Sequence, residues 1–190
     1  MRNVVFALAG IVVALGAGVA FAGVPCAGTS TVEASPDCGA YCPASDFGTV
    51  TVTVTVKDCY GTPLEGVEVT VTEAAGGTGH CWCPGEDAKV CTTDASGVCT
   101  VTFSDFGGCD GSGCGLQFQA DAEGVILGPS QPIVAANVDN TADCAVALAD
   151  FINFASHYGT SNCCSDYNCD GTVALADFIN FASHYGHSCP

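Results

Sequence analysis

The chain is 190 residues long and carries 20 acidic side chains against 3 basic ones, a formal charge of −17 at neutral pH. A polyanion with so little lysine and arginine has nothing with which to neutralise phosphates, which excludes nucleic acid as a partner. Fifteen cysteines in a chain of this size point to a protein built on disulfides in an oxidising compartment.

Met1 to Ala22 begins with Arg2, runs apolar from Val4 to Ala14 and beyond, and reaches Ala20-Phe21-Ala22 before Gly23. A short basic start, an apolar middle and a small-residue cleavage site are the parts of a secretory signal peptide. The apolar length would also serve a membrane anchor, but the small residues at its end favour cleavage. Cys26 has no lipid-attachment context, and no later segment is apolar enough to span a bilayer, so the expected destination is extracellular or the cell surface. Cleavage at Gly23 removes Arg2 and leaves Lys57 and Lys89 as the basic side chains, and all fifteen cysteines stay with the mature chain. Fifteen is odd, so at least one thiol is left over or bonded to another chain, and the connectivity of the rest cannot be read from spacing. Zinc held by Cys81-Trp82-Cys83 or Cys163-Cys164 is the other reading, disfavoured by export and by the lack of paired C-x-x-C spacing.

Residues 23–46 are rich in Cys, Pro and small side chains without an apolar period, and read as a stapled N-terminal arm. From Thr49 to Val56, Thr and Val alternate, which puts Val50, Val52, Val54 and Val56 on one face of a half-buried strand. Asp58 to Gly66 is turn material, and Val67, Val69 and Val71 alternate again, predicting a second strand antiparallel to the first or near it. Cys99, Val101 and Phe103 follow the turn Thr93 to Gly97; Leu116, Phe118 and Ala120 follow a glycine-rich stretch; Ile133 to Ala135 offers a last strand. Short strands at regular turns predict a β-sandwich over residues 47–136. The run G-T-P-L-E-G-V-E-V ending at Val69, with T-D-A-S-G and Phe103 downstream, resembles bacterial immunoglobulin-like surface domains and carboxypeptidase-regulatory-like domains. That resemblance implies a mainly β, immunoglobulin-like sandwich and no catalytic residues. Gly76 to Cys91, which holds the single Trp, reads as an insertion without an assigned role.

Residues 137–190 contain a perfect repeat. VALADFINFASHYG runs from Val146 to Gly159 and again from Val173 to Gly186, so one supersecondary unit occurs twice. Before the second copy, Asp166, Asn168 and Asp170 alternate, Gly171 follows, and Asp177 closes a twelve-residue frame, which is the spacing of a calcium loop. Alternate oxygens on a tight loop converge on the cation, the Thr172 carbonyl serves as the backbone ligand, and a carboxylate one turn later completes the shell. The first copy offers Asp139, Thr141, Asp143, the Ala145 carbonyl and Asp150, with Cys144 where the glycine belongs. Two Ca²⁺ sites are therefore expected, the second the stronger and the first distorted at Cys144. Phe151, Phe154, Ala155 and Tyr158, and their repeats Phe178, Phe181, Ala182 and Tyr185, follow at steps of three and four, predicting a short amphipathic helix after each loop.

A loop with one following helix, duplicated and lacking the leading helix of an EF-hand, resembles the dockerin domain of bacterial extracellular assemblies over about Asn137 to Gly186. The resemblance implies a small α-helical module that binds calcium through the frame D-x-N-x-D-G-x-V-x-x-x-D and docks onto a cohesin-like receptor. Where many family members carry a hydroxyl pair for partner recognition, this chain has Leu148 with Ala149 and Leu175 with Ala176, and the usual basic helix residues are absent.

No nucleophile motif, phosphate loop or metal-spaced histidine pair suggests an enzyme, and His157 and His184 are repeat equivalents on helices. Two kinds of function are left. One is a secreted adaptor whose dockerin-like end joins a protein partner. The other is a subunit that assembles with copies of itself into a filament or surface layer, through the odd cysteine or the Thr/Val strand as a pairing edge. Trp82 stacking on a sugar is a further alternative.

Overall fold

The computed structural model describes residues 23–44, 47–74, 79–109 and 114–190. The signal-peptide reading of residues 1–22 lies outside them. Among the described residues no helix is long and apolar enough to cross a membrane.

Among the described residues the molecule is mainly β, with two helices in the C-terminal part. The segment expected to be an arm supplies two strands, β1 (Thr31–Ser35) and β2 (Cys38–Tyr41). β3 (Val50–Thr55) and β4 (Glu68–Glu73) are the two valine-alternating runs. β5 (Cys81–Trp82) and β6 (Ala88–Thr92) come from the insertion, and β7 (Val98–Phe103), β8 (Phe106–Gly107), β9 (Gly115–Leu116), β10 (Phe118–Ala122), β11 (Val125–Leu127) and β12 (Ile133–Asn137) complete the strands.

Two antiparallel sheets, in the orders β1-β3-β7 and β11-β10-β4-β6, form a sandwich. Period-two patterning decides its interior: Val50, Val52 and Val54 are fully buried while Thr51, Thr53 and Thr55 between them stay half-exposed. Val69 and Val71, Phe103, and Phe118 with Ala120 fill the same core. Each fully buried valine contributes roughly 1.5–3 kcal/mol over leaving it exposed. β3 and β4 lie in different sheets, because the chain between them turns over the sandwich edge, where Leu64 N–H donates to the Val56 carbonyl at 3.0 Å. β3 is the central strand of its sheet, with Val52 opposite Ala34 of β1 and Val101 of β7. Its two edges are occupied, so it is not the pairing edge between molecules that its Thr/Val alternation suggested.

A smaller sheet, β2-β12-β9, lies beside the sandwich, with β2 and β12 parallel. It leads from Asn137 straight into the first acidic loop. The helices α1 (Leu148–His157) and α2 (Leu175–His184) share a second core with this sheet. Ala40, Cys42, Ala136 and Val138 pack there with Val146, Phe154, Val173 and Phe181.

Fourteen of the fifteen cysteines form seven disulfides. Cys26–Cys59 and Cys91–Cys99 lie within the sandwich. The other five, Cys38–Cys169, Cys81–Cys144, Cys83–Cys189, Cys109–Cys164 and Cys114–Cys163, all join the β part to the C-terminal module. Cys42 is fully buried, its Sγ 3.8 Å from His187 Nδ1. That burial places Cys42 away from the surface at which a disulfide to another chain would form. The cysteines weighed as zinc ligands are likewise in disulfides.

Candidate functional site

The two acidic loops follow one backbone path. At the fourth position of the frame Ala142 and Cys169 both have φ 58°, and at the sixth Cys144 has φ 66° and Gly171 φ 88°. Cys144 thus adopts the left-handed conformation that glycine takes in the other copy. The hydrogen bonds repeat in step. Cys144 N–H donates to Asp139 Oδ2 and Gly171 N–H to Asp166 Oδ2, each at 2.8 Å. Ala145 N–H donates to Asp143 Oδ1 at 3.1 Å, as Thr172 N–H does to Asp170 Oδ1 at 2.9 Å. The closing carboxylates reach back to their own helix starts: Ala147 N–H donates to Asp150 Oδ2 at 2.7 Å, and Ala174 N–H to Asp177 Oδ2 at 2.8 Å. Asp150 and Asp177 thereby cap α1 and α2, where a negative charge also suits the helix dipole.

In the first loop one oxygen from each of Asp139, Asp143 and Asp150 comes within 4.8 Å of the others, with Asp139 and Asp150 fully buried. Burial, and then the charge of Asp150, raises the Asp139 carboxyl from its ordinary 3.8 to about 6. Three converging carboxylates, two of them out of water, are an oxygen-only donor set that a hard divalent cation relieves. The residues present therefore fit calcium, with Thr141 beside them, its hydroxyl donating to Asp150 Oδ1 at 2.8 Å. In the second loop Asp177 Oδ1 accepts from Tyr167 N–H at 2.8 Å, and Asn168 Nδ2 donates to Asp170 Oδ2 at 2.7 Å. The donors expected there, Asp166, Asn168, Asp170, Asp177 and the Thr172 carbonyl, are also all oxygen, but among the described residues the close three-carboxylate cluster is in the first loop.

The first loop rests on the sandwich through residues that sequence reasoning missed. Asn137 Nδ2 donates to the Phe106 carbonyl at 2.9 Å, its Oδ1 accepts from Asp139 N–H at 3.1 Å, and Gly108 N–H donates to the Asp139 carbonyl at 2.7 Å. A Cβ on Gly107 would collide with the Asp139 carboxylate. The insertion now has a structural role: β5 pairs with β8 beneath the loop and brings Cys81 to Cys144 and Cys83 to Cys189. A cysteine at a glycine position of an exported chain was the available signal, but its partner could not be read from spacing. Trp82 packs against Phe106 with ring centroids 4.7 Å apart and against Phe103 at 5.5 Å, and its indole N–H donates to Glu73 at 2.7 Å. Those contacts pack it, partly buried, against the sandwich core.

The two units are related by a near two-fold axis. Gly159 N–H donates to the Val173 carbonyl and Gly186 N–H to the Val146 carbonyl, both at 2.8 Å, and Val173 and Val146 return bonds to Thr160 and His187 at 2.8 Å. Phe154 stacks on its own repeat equivalent Phe181 at 5.4 Å, and Phe151 meets Phe178 at 6.4 Å, contacts that equivalent residues make only beside the axis. On the outer face the predicted contact residues Leu148, Ala149, Leu175 and Ala176 are all exposed, the leucines by 61% and 62%. Ile152 and Ile179 lie exposed with them. Leu148, Phe151, Phe178 and Tyr185 line a shallow apolar groove of about 400 Å³. The symmetry fails where the rest of the chain touches it. His184 is buried and stacks on Phe47 at 4.1 Å, whereas His157 bonds Ser165 at 2.8 Å and burial lowers its pKa.

No protein-family model matches the chain, and no curated protein matches it. Among solved structures, the adhesin InvE of Yersinia pseudotuberculosis overlaps 60% of this chain at 23% identity with a TM-score of 0.42. Invasin, a bacterial integrin-binding protein, overlaps 57% at 25% identity with a TM-score of 0.37. The overlaps span 28% and 19% of those chains. At such scores the functional reading rests on this chain's own residues.

Proposed function

We propose that this is an exported, non-catalytic protein whose C-terminal loop–helix pair binds two Ca²⁺ ions and presents an apolar helix face to a protein partner outside the cell. The convergence of Asp139, Asp143 and Asp150 carries the reading, because buried carboxylates brought together without basic partners need a cation. The second frame repeats that loop on a glycine-containing path, in keeping with a dockerin-like module following an immunoglobulin-like sandwich. The seven disulfides support an oxidising, extracellular setting. The outer face, with Leu148, Ala149, Leu175 and Ala176, supports partner docking through apolar contact rather than through hydroxyls. A cohesin-like receptor is the partner class that the dockerin resemblance suggests.

Calorimetry of the mature chain tests the metal. Two binding events are expected, at about 10⁻⁴ M or tighter as in extracellular modules. Asp170→Ala should remove the second event, and a titration unchanged by that substitution sinks the site assignment. Sedimentation with and without Ca²⁺ tests the mode of assembly. An adaptor stays monomeric, whereas calcium-dependent growth would identify a self-assembling subunit.

A further inference from the structure

The calcium loops are each strapped to the β part by a disulfide at a left-handed residue. Cys144, at the sixth position of the first loop, is bonded to Cys81, and Cys169, at the fourth position of the second, to Cys38. The fourth position is left-handed in both loops, at unbonded Ala142 as at Cys169. At the sixth, the first loop has Cys144 where the second has glycine, and a Cβ-bearing residue holds that conformation there only when its surroundings impose it. We infer that these two disulfides are positioning devices for metal binding, which couple the calcium affinity of each loop to the redox state of its strap. The inference rests on the calcium reading above.

The path from strap to metal is short. Cys144 N–H donates to Asp139 Oδ2, so the backbone conformation that the Cys81 bond fixes also aims the first carboxylate of the frame. Cys81 itself sits on β5, whose partner β8 carries Gly107, the residue against which Asp139 packs. In the second loop Cys169 lies between Asn168 and Asp170, two of the expected ligands, and Cys38 anchors it to β2, paired in turn with β12. A dithiol opens such a strap by two exchanges. Its thiolate attacks Cys81 Sγ, and Cys144 Sγ leaves and takes up a proton. The second thiol of the reductant then displaces Cys81, which leaves two protein thiols and the reductant as its own disulfide. Binding linkage is reciprocal, so calcium should in turn resist that opening.

Calorimetry of the full mature chain, using Ca²⁺ alone as the probe, separates the possibilities. Cys81→Ser with Cys144→Ser should weaken the first binding event about tenfold, the cost of holding one Cβ-bearing residue left-handed without its strap. The second event should be unchanged and serves as the internal control. Cys81→Ser with Cys144→Gly should regain most of the loss, since glycine adopts the conformation freely. Absence of any event in the unmodified chain would overturn the calcium reading. Two unchanged events in the serine double variant would overturn the strap inference alone. Should that variant fail to fold, timed reduction of the unmodified protein by dithiothreitol, followed by alkylation and mass spectrometry, decides instead. Cys81–Cys144 and Cys38–Cys169 should open several-fold more slowly with Ca²⁺ than with EDTA, while Cys26–Cys59 opens at one rate in both. Equal rates for the two straps with and without calcium would overturn the inference.

Discussion

Asp139 carries more of the proposed site than any other side chain, because it is the first ligand of its frame and is buried against the sandwich. Gly107→Ala places a methyl group where the Asp139 carboxylate lies, so the first calcium event should disappear from a titration while the second persists. If both events survive, the Asp139–Gly107 contact does not matter to the metal. The same carboxyl gives the metal-free protein a pH signature. Its pKa is raised from 3.8 to about 6 in the fold, so between those values the folded state holds the proton more tightly than the unfolded chain. The stabilisation is therefore complete at low pH and is lost as pH rises through about 6. In EDTA the melting temperature should fall between about pH 4 and pH 6, and Asp139→Asn should flatten that fall. Calcium should abolish it, since the cation then takes the place of the proton. A fall of equal size in the Asn variant would trace it to other carboxylates.

At the scale of elements, the exposed apolar face of α1 and α2 is the proposed docking surface. A single Leu148→Asp replaces one of two equivalent leucines, and burying a leucine on contact contributes roughly 1.5–3 kcal/mol. In a pull-down from native extracellular material the single change should weaken association measurably, and Leu148→Asp with Leu175→Asp should abolish it. If the single change is as severe as the double, the two halves are not interchangeable and the repeat serves only as a calcium clasp. The exact repeat of fourteen residues made both helices and both loops legible in the sequence, since identical side chains at identical spacing must fold alike in like surroundings. The valine-alternating strands were legible for the same reason of period. What sequence could not disclose were elements whose stability is borrowed. β1 and β2 sit in a stretch with little apolar alternation and owe their existence to the edges of β3 and β12. β11 follows a two-residue turn at Glu123 and Gly124, both with positive φ, a signal present in the sequence but short. The place of Cys144 was visible as an anomaly, and its meaning required the partner Cys81.

Across the whole molecule, the β part and the C-terminal module read from sequence as successive segments are joined by five disulfides and a shared core. Heating the oxidised protein in calcium should therefore give one calorimetric transition, with strand and helix signals lost together. Two separated transitions would show that the disulfides tie together units that melt independently. Phe181→Ala, which empties the centre of the shared core, should cost about 3–5 kcal/mol and lower that single transition as a whole. The disulfide pattern also governs how the molecule behaves under load. Between Cys26 and Cys189 the covalent path crosses Cys26–Cys59, follows about 24 residues from Cys59 to Cys83, and crosses Cys83–Cys189. A parallel route through Cys38–Cys169 is longer, about 32 residues, and would still be slack when the first goes taut. Pulled between those ends, even a fully denatured chain would stretch no further than about 95 Å before the covalent path went taut. So little slack would pass force applied between those ends through the fold instead of dissipating it by unravelling.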